Sequence, residues 1–173
     1  MENTTSKDIL TNEFQDKPKL PSGLNVLTIL TFIWCAIQFC FEVYGFLNAR
    51  QSFEGIDKLR EKLNSAEMPS WFRSLFGDPD NLIIIITKKY ENRLPLLLLS
   101  LTSIALCFWG ALQMRKLKKQ GYPLYLIGEL LPLLSAYLFI GALSFSGIAF
   151  YIVAGFIAIF ILLYTLQRKF LVY

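Results

Sequence analysis

Residues Gln113 to Pro132 read QMRKLKKQGYPLYLIGELLP. Four cations, Arg115, Lys116, Lys118 and Lys119, fall within five positions without a compensating acid. Gly121 and Pro123 follow, and then a carboxylate, Glu129, sits inside an apolar run. Such a pattern is expected of a tight turn between two membrane-crossing helices, with the cations held on one face of the bilayer.

A bilayer core about 30 Å thick needs roughly 20 apolar residues per helix. The 173-residue chain is 54% hydrophobic with a mean hydropathy of +0.47, and its apolar residues come in blocks of that length. Four spans are expected: Leu24–Leu47, Leu94–Met114, Tyr122–Leu143 and Gly147–Leu166. The fold class is therefore an all-α membrane protein: four transmembrane helices in an antiparallel bundle. Residues 1–21 form a polar tail, residues 22–173 the transmembrane domain, and residues 49–93 a long outer loop carrying short amphipathic helices. No A-x-A-like site follows the first apolar block, so the first span is expected to be a retained anchor.

The cations orient the chain. Arg115 to Lys119 lie between spans two and three, Arg168 and Lys169 follow span four, and the LSFSG connection between spans three and four is uncharged. By the excess of cations on cytoplasmic loops, both termini are expected in the cytoplasm. The outer loop holds eight Lys or Arg residues but also seven acids, and at this length it weighs little in the rule. The basic cluster could also meet anionic headgroups, although topology alone accounts for it.

Within the loop, Ser52 precedes Phe53, Ile56, Leu59 and Leu63 at helical spacing, which predicts an amphipathic helix with Ser52 as its N-cap. Trp71, Phe72, Leu75 and Phe76 share one face and form a candidate interface, toward either the membrane surface or the helix tops. Asp78–Asn81 lacks the spaced oxygen ligands of a calcium loop; Asp78 as N-cap and Pro79 at the first helical position predict a helix start. NLIIIITKKYEN favours the extended state by composition, but a lone strand has no partner, so a helix broken or kinked at Pro95 is expected.

Polar groups inside spans should face protein. In span one, Thr28, Thr31, Cys35, Gln38, Glu42, Gly45 and Ala49 recur at alternating steps of three and four, one stripe along a helix. Comparable seams are Ser100, Ser103, Cys107, Gly110 and Met114; Tyr125, Gly128, Pro132, Ser135, Phe139 and Ala142; and Gly147, Tyr151, Ala154, Ala158 and Thr165. Small residues allow close helix approach, so these faces should turn inward, with Phe32 and Phe39 toward lipid.

Glu42 and Glu129 are the candidate functional acids, since an intramembrane acid is by default a functional hypothesis. They are expected about 15 Å apart along the membrane normal, too far to share a proton. Arg93, Lys88 or Lys89 could neutralise Glu42; Arg115, Lys118 or tyrosine hydroxyls could satisfy Glu129.

Histidine is absent, and no H-E-x-x-H, C-x-x-C, G-x-S-x-G or phosphate-cradling loop occurs. No enzymatic activity, cofactor, metal or nucleic-acid partner is expected. The expected partners are the lipid bilayer and other membrane proteins or further copies of the chain. Two functions compete: a non-catalytic accessory or scaffold subunit, and a small transporter or channel using the glutamates. Transporters tend to break spans at the site and to carry internal repeats. Only Pro132 lies deep in a span here, and the halves show no obvious repeat, which favours the first.

The segment GALQMRKLKKQGYPLYLIGE, with its basic run, Gly-aromatic turn and Leu-Tyr, resembles a pattern in four-span membrane proteins of Bacteroidota. That resemblance covers mainly spans two and three and implies a bacterial inner membrane. Claudins share a long first outer loop, but their W…W-C-C signature is missing here.

Overall fold

The computed structural model describes residues 20–64, 71, 78–145 and 147–172. Among these residues the regular structure is entirely helical: α1 Ser22–Glu54, α2 Ile56–Asn64, α3 Pro79–Glu91, α4 Arg93–Arg115, α5 Gly121–Phe139 and α6 Ile148–Gln167. Two 3₁₀ turns, Ala142–Phe145 and Arg168–Phe170, complete it. Four segments, α1, α4, α5 and Ile148–Phe170, are long and apolar enough to cross a membrane, as a multi-pass membrane protein requires.

Helix α1 has 33 residues, about 50 Å of rise and well beyond the bilayer requirement. Its surplus corrects one expectation. Ser52 lies inside α1 rather than capping a new helix: α1 runs on to Glu54, with Arg50 and Glu54 paired at 2.7 Å one turn apart on its surface. The break comes at Gly55, and α2 begins at Ile56. Phe53 turns back to stack on Tyr90 of α3, with centroids 4.5 Å apart.

The NLIIIITKKYEN segment is helical, as expected over the strand alternative. Pro79 stands at the first helical position, but the Asp78 side chain makes no cap hydrogen bond. The expected break at Pro95 falls instead at Asn92, and Pro95 sits in the first turn of α4. A proline is tolerated there because its missing N–H would have had no helical partner.

Helices α4 and α5 make the most extensive contact in the protein, and α1 packs mainly on α4. Glycines set this closeness. A Cβ on Gly110 would lie 2.7 Å from the Tyr125 nitrogen, and one on Gly121 2.6 Å from the Gly110 oxygen. At Gly128 it would meet Cys107 Sγ at 2.6 Å. The backbones touch where side chains would otherwise separate them.

Pro132 lies inside α5 and cannot donate to the carbonyl one turn back. The carbonyl so released is that of Gly128, and Ser103 Oγ of α4 donates to it at 2.7 Å. A helix defect is thereby converted into an interhelical bond, and α5 continues unbroken.

The turn after α4 ends on a residue type that sequence does not signal. Leu117 adopts φ 58°; its N–H bonds the Met114 carbonyl and that of Lys118 bonds the Gln113 carbonyl. This is a Schellman motif with leucine where glycine is usual. Leu117 is nearly buried and its carbonyl accepts the Val172 N–H at 3.0 Å, so packing holds the strained conformation.

At the opposite end of α5, Lys88 Nζ donates to the Ile140 carbonyl at 2.9 Å, and Asn92 reaches the Phe139 carbonyl at 3.5 Å. Helix α3 therefore caps the C-terminus of α5, placing a cation where orphan carbonyls collect. Gly141, at φ 92°, turns the chain away in a conformation that favours glycine.

The interior is unevenly filled. Leu24, Leu27, Cys35, Cys107, Met114, Leu117, Tyr125, Tyr164 and Leu171 form one buried cluster toward the Arg115–Lys119 end. The seam of α1 follows this gradient: Thr28, Thr31 and Cys35 are buried, Gln38, Glu42 and Ala49 half-buried, and Gly45 exposed. In α4 the whole seam from Ser100 to Met114 is buried. In α5 Tyr125, Gly128 and Ser135 are buried, whereas Ala142 is exposed. The α6 seam is overturned: Tyr151, Ala158 and Thr165 are exposed, and Tyr164 is the buried residue. A large side chain with a hydroxyl partner, rather than small residues, chose the inward face. Phe39 is exposed as expected, but Phe32 is half-buried, 5.0 Å from the ring of Phe108.

Candidate functional site

Glu129 projects from α5 one turn after Tyr125, whose hydroxyl donates to Glu129 Oε1 at 2.6 Å. The Tyr125 ring packs against that of Tyr164 on α6, centroids 4.3 Å apart. Tyr164 and Thr31 of α1 are joined hydroxyl to hydroxyl at 2.7 Å. Thr31 Oγ1 also donates to the Leu27 carbonyl at 3.1 Å, so the proton in the Thr31–Tyr164 bond comes from Tyr164. Three helices thus meet through one polar cluster. Helix α4 closes its fourth side with Cys107, whose Sγ lies 3.9 Å from the Tyr125 carbonyl. Of the partners anticipated for Glu129, a tyrosine hydroxyl is the one found. Arg115 and Lys118 are exposed and form no ion pair with it among the described residues.

Glu42 occupies different surroundings. It lines a cleft of about 400 Å³ where α1, the α3–α4 junction and α5 diverge. Lys89 and Arg93 share the lining, and Ser100, Pro132 and Ser135 lie deeper in it. Glu42 makes no ion pair within 4.0 Å among the described residues, so the anticipated neutralisation by direct contact with Lys89 or Arg93 does not occur. Arg93 instead stands over the Tyr90 ring at 4.6 Å, and Lys88 is committed to the Ile140 carbonyl. Ser135 Oγ donates to the Pro132 carbonyl at 2.9 Å. Pro132 belongs to the cleft and lies one turn beyond Glu129, yet Glu129 itself is not part of the lining. The two acids are therefore not brought together.

The basic cluster surrounds the Leu117 turn, with Arg115, Lys116, Lys118 and Lys119 all exposed. Nearby, Tyr122 bonds Thr165 at 2.8 Å and lies under the Arg168 guanidinium at 5.3 Å, tying α6 to the start of α5. Of the candidate interface, Trp71 is helical and 60% exposed; Phe72, Leu75 and Phe76 lie outside the described residues. No group of three His, Cys, Asp or Glu side chains able to hold a metal occurs among the described residues.

Sequence reasoning missed Tyr164, Ser103 as partner of the Gly128 carbonyl, and Lys88 as a cap. A signal existed for the second, because Pro132 frees a carbonyl four residues earlier and a serine seam faces it. Tyr164 shares α6 with Tyr151, Thr165 and Gln167, so no local signal marks it as the polar tip that turns inward. Comparison with protein families, curated proteins and solved structures finds no match to this chain.

Proposed function

We propose that this chain is a small multi-pass membrane protein without catalytic activity, acting as an accessory or scaffold subunit for another membrane protein. In this reading the four helices run antiparallel, both termini are cytoplasmic, and the membrane is a bacterial inner membrane. The observation that carries it is the unused face of α6. Gly110, Gly121 and Gly128 are each filled by a neighbouring backbone within the chain. Gly155, in the middle of α6, has no atom within 4 Å of where a Cβ would stand. Tyr151 and Ala158, one turn to either side on the same face, are exposed. The small residues Gly155 and Ala158 let a second helix approach closely there. Helix α6 is also the most apolar and least buried of the four, and it is held to its own bundle near one end, through Tyr164, Phe160 and Thr165.

The expected partner is a transmembrane helix of a different protein. Paired substitutions Gly155→Ile and Ala158→Ile should remove a co-purifying membrane protein from mild-detergent extracts while leaving thermal stability unchanged. Retention of the same partner by the double variant would refute this face. Recovery of the chain only as copies of itself would replace the accessory role with self-assembly.

One observation supports a second reading as a transporter. The Glu129–Tyr125 pair and the Tyr164–Thr31 pair form a polar cluster across three helices, one turn beneath the Glu42 cleft. Loss of a proton- or cation-dependent flux in a folded Glu129→Gln protein would favour it.

A further inference from the structure

The cleft that contains Glu42 has a definite level in the molecule. The ends of α4, Arg93 and Arg115, are about 33 Å apart at 1.5 Å per residue, so Arg93 and the Arg115–Lys119 cluster sit at opposite faces of a bilayer core. Glu42 lies about 30 Å along α1 from Ser22, near the same face as Arg93. One acid and two cations thus line a cleft at headgroup depth.

These charges do not neutralise one another by contact, since Glu42 has no ion pair within 4.0 Å among the described residues. Separated opposite charges at the edge of a low-dielectric medium leave a strong field between them. Below the charges the α4 wall turns apolar with Leu96 and Leu97, and Ser100 lies about 10 Å deeper than Arg93. The Ser100 hydroxyl makes no hydrogen bond among the described residues and is placed to donate to a ligand carbonyl. The required ligand carries a cation and an anion side by side at one level, with an acceptor and an apolar tail below them.

We infer that this cleft binds one phospholipid with a primary ammonium headgroup, its phosphate on Lys89 and Arg93, its ammonium on Glu42, and an ester carbonyl on Ser100. The cleft of about 400 Å³ takes the headgroup and the first carbons of one chain. The remaining hydrocarbon runs along exposed apolar side chains of α1 such as Phe41, which is 71% exposed. The Arg93 side chain, its Cζ 4.6 Å from the Tyr90 ring centroid, makes no hydrogen bond or ion pair among the described residues, which leaves its N–H groups available for phosphate. A quaternary ammonium would carry the same charge but could not donate a hydrogen bond to Glu42, and a glycerol headgroup would lack the cation.

The inference rests on these helices spanning a membrane. That premise is tested separately, by whether alkaline carbonate leaves the chain in the membrane pellet. The site itself is tested by native mass spectrometry of the purified full chain, titrated with phosphatidylethanolamine, phosphatidylcholine or phosphatidylglycerol. One saturable copy of phosphatidylethanolamine is expected, bound about tenfold more tightly than the others, as a single charge-assisted hydrogen bond would give. Glu42→Gln should abolish that preference, and Lys89→Gln should weaken all three lipids, with unfolding midpoints unchanged. Equal binding of the three lipids, tighter binding of phosphatidylglycerol, or an intact preference in Glu42→Gln overturns the assignment.

Discussion

Gly128→Ala concentrates the packing argument into one methyl group. The added carbon would stand 2.6 Å from Cys107 Sγ and 2.8 Å from the Cys107 nitrogen. Ordinary contacts between such atoms lie near 3.5 Å, and the nitrogen belongs to a helix backbone that cannot rotate aside. Helices α4 and α5 must therefore separate by about 0.7 Å, a form of overpacking that costs about 1–3 kcal/mol. Separation also stretches the Ser103–Gly128 bond from 2.7 Å, and interhelical bonds of this kind contribute about 0.6–1.7 kcal/mol. The better helix propensity of alanine returns up to about 1 kcal/mol. A net loss of about 1–4 kcal/mol follows, or a midpoint lower by about 2–16 °C for a chain of this size. Thermal labelling with a fluorescent maleimide in a Cys40→Ala background reads it, because Cys40 is exposed whereas Cys35 and Cys107 are buried until the bundle opens. Gly155→Ala is the internal control: its site is open, so it should be neutral or slightly stabilising. A Gly128→Ala protein as stable as Gly155→Ala would refute the close-packed α4–α5 interface.

Other substitutions probe separate joints of the structure. At Leu117, glycine relieves the left-handed strain of about 1–2 kcal/mol whereas alanine keeps it; both lose the buried side chain. Leu117→Ala should therefore unfold at a lower temperature than Leu117→Gly, and the opposite order would count against the strained cap. Lys88→Met removes a charged donor from the Ile140 carbonyl and should destabilise by about 1.5–3 kcal/mol in the same labelling assay; a silent change would show that the carbonyl finds another partner. For topology, single cysteines at Asp57 and Lys118, in a background lacking the three native ones, should be labelled in whole cells at Asp57 alone. The reverse pattern would invert the proposed orientation.

The sequence made the apolar architecture legible because it repeats over whole helices. Each span had to supply about 20 apolar residues, and the structure returns four such helices near their expected ends, except that α1 runs on past Leu47 to Glu54. The polar stripe of α1 was legible for the same reason, at least from Thr28 to Cys35, where neighbours close over it. Its upper half reads identically in sequence yet lines an open cleft. Periodicity identifies a face but not how far the bundle extends along it. The α6 frame failed for a related reason: small residues mark close approach without naming the partner. The Leu117 turn left no local trace, since its left-handed residue is held by Leu171 and Val172 from the far end of the chain. Glu129 was legible as an acid within a span, here half-buried, and its tyrosine partner at one helical turn was among the options considered.

The most direct test of the accessory role is a photo-cross-linking scan along α6 in native membranes. A photoreactive residue would be placed in turn at Tyr151, Ile152, Gly155, Phe156, Ala158 and Leu162. The account predicts one discrete protein adduct from Tyr151, Gly155, Ala158 and Leu162, a helical face, with Ile152 and Phe156 giving lipid adducts or none. Lipid adducts alone from all six positions, with no protein partner at helical spacing, would contradict it.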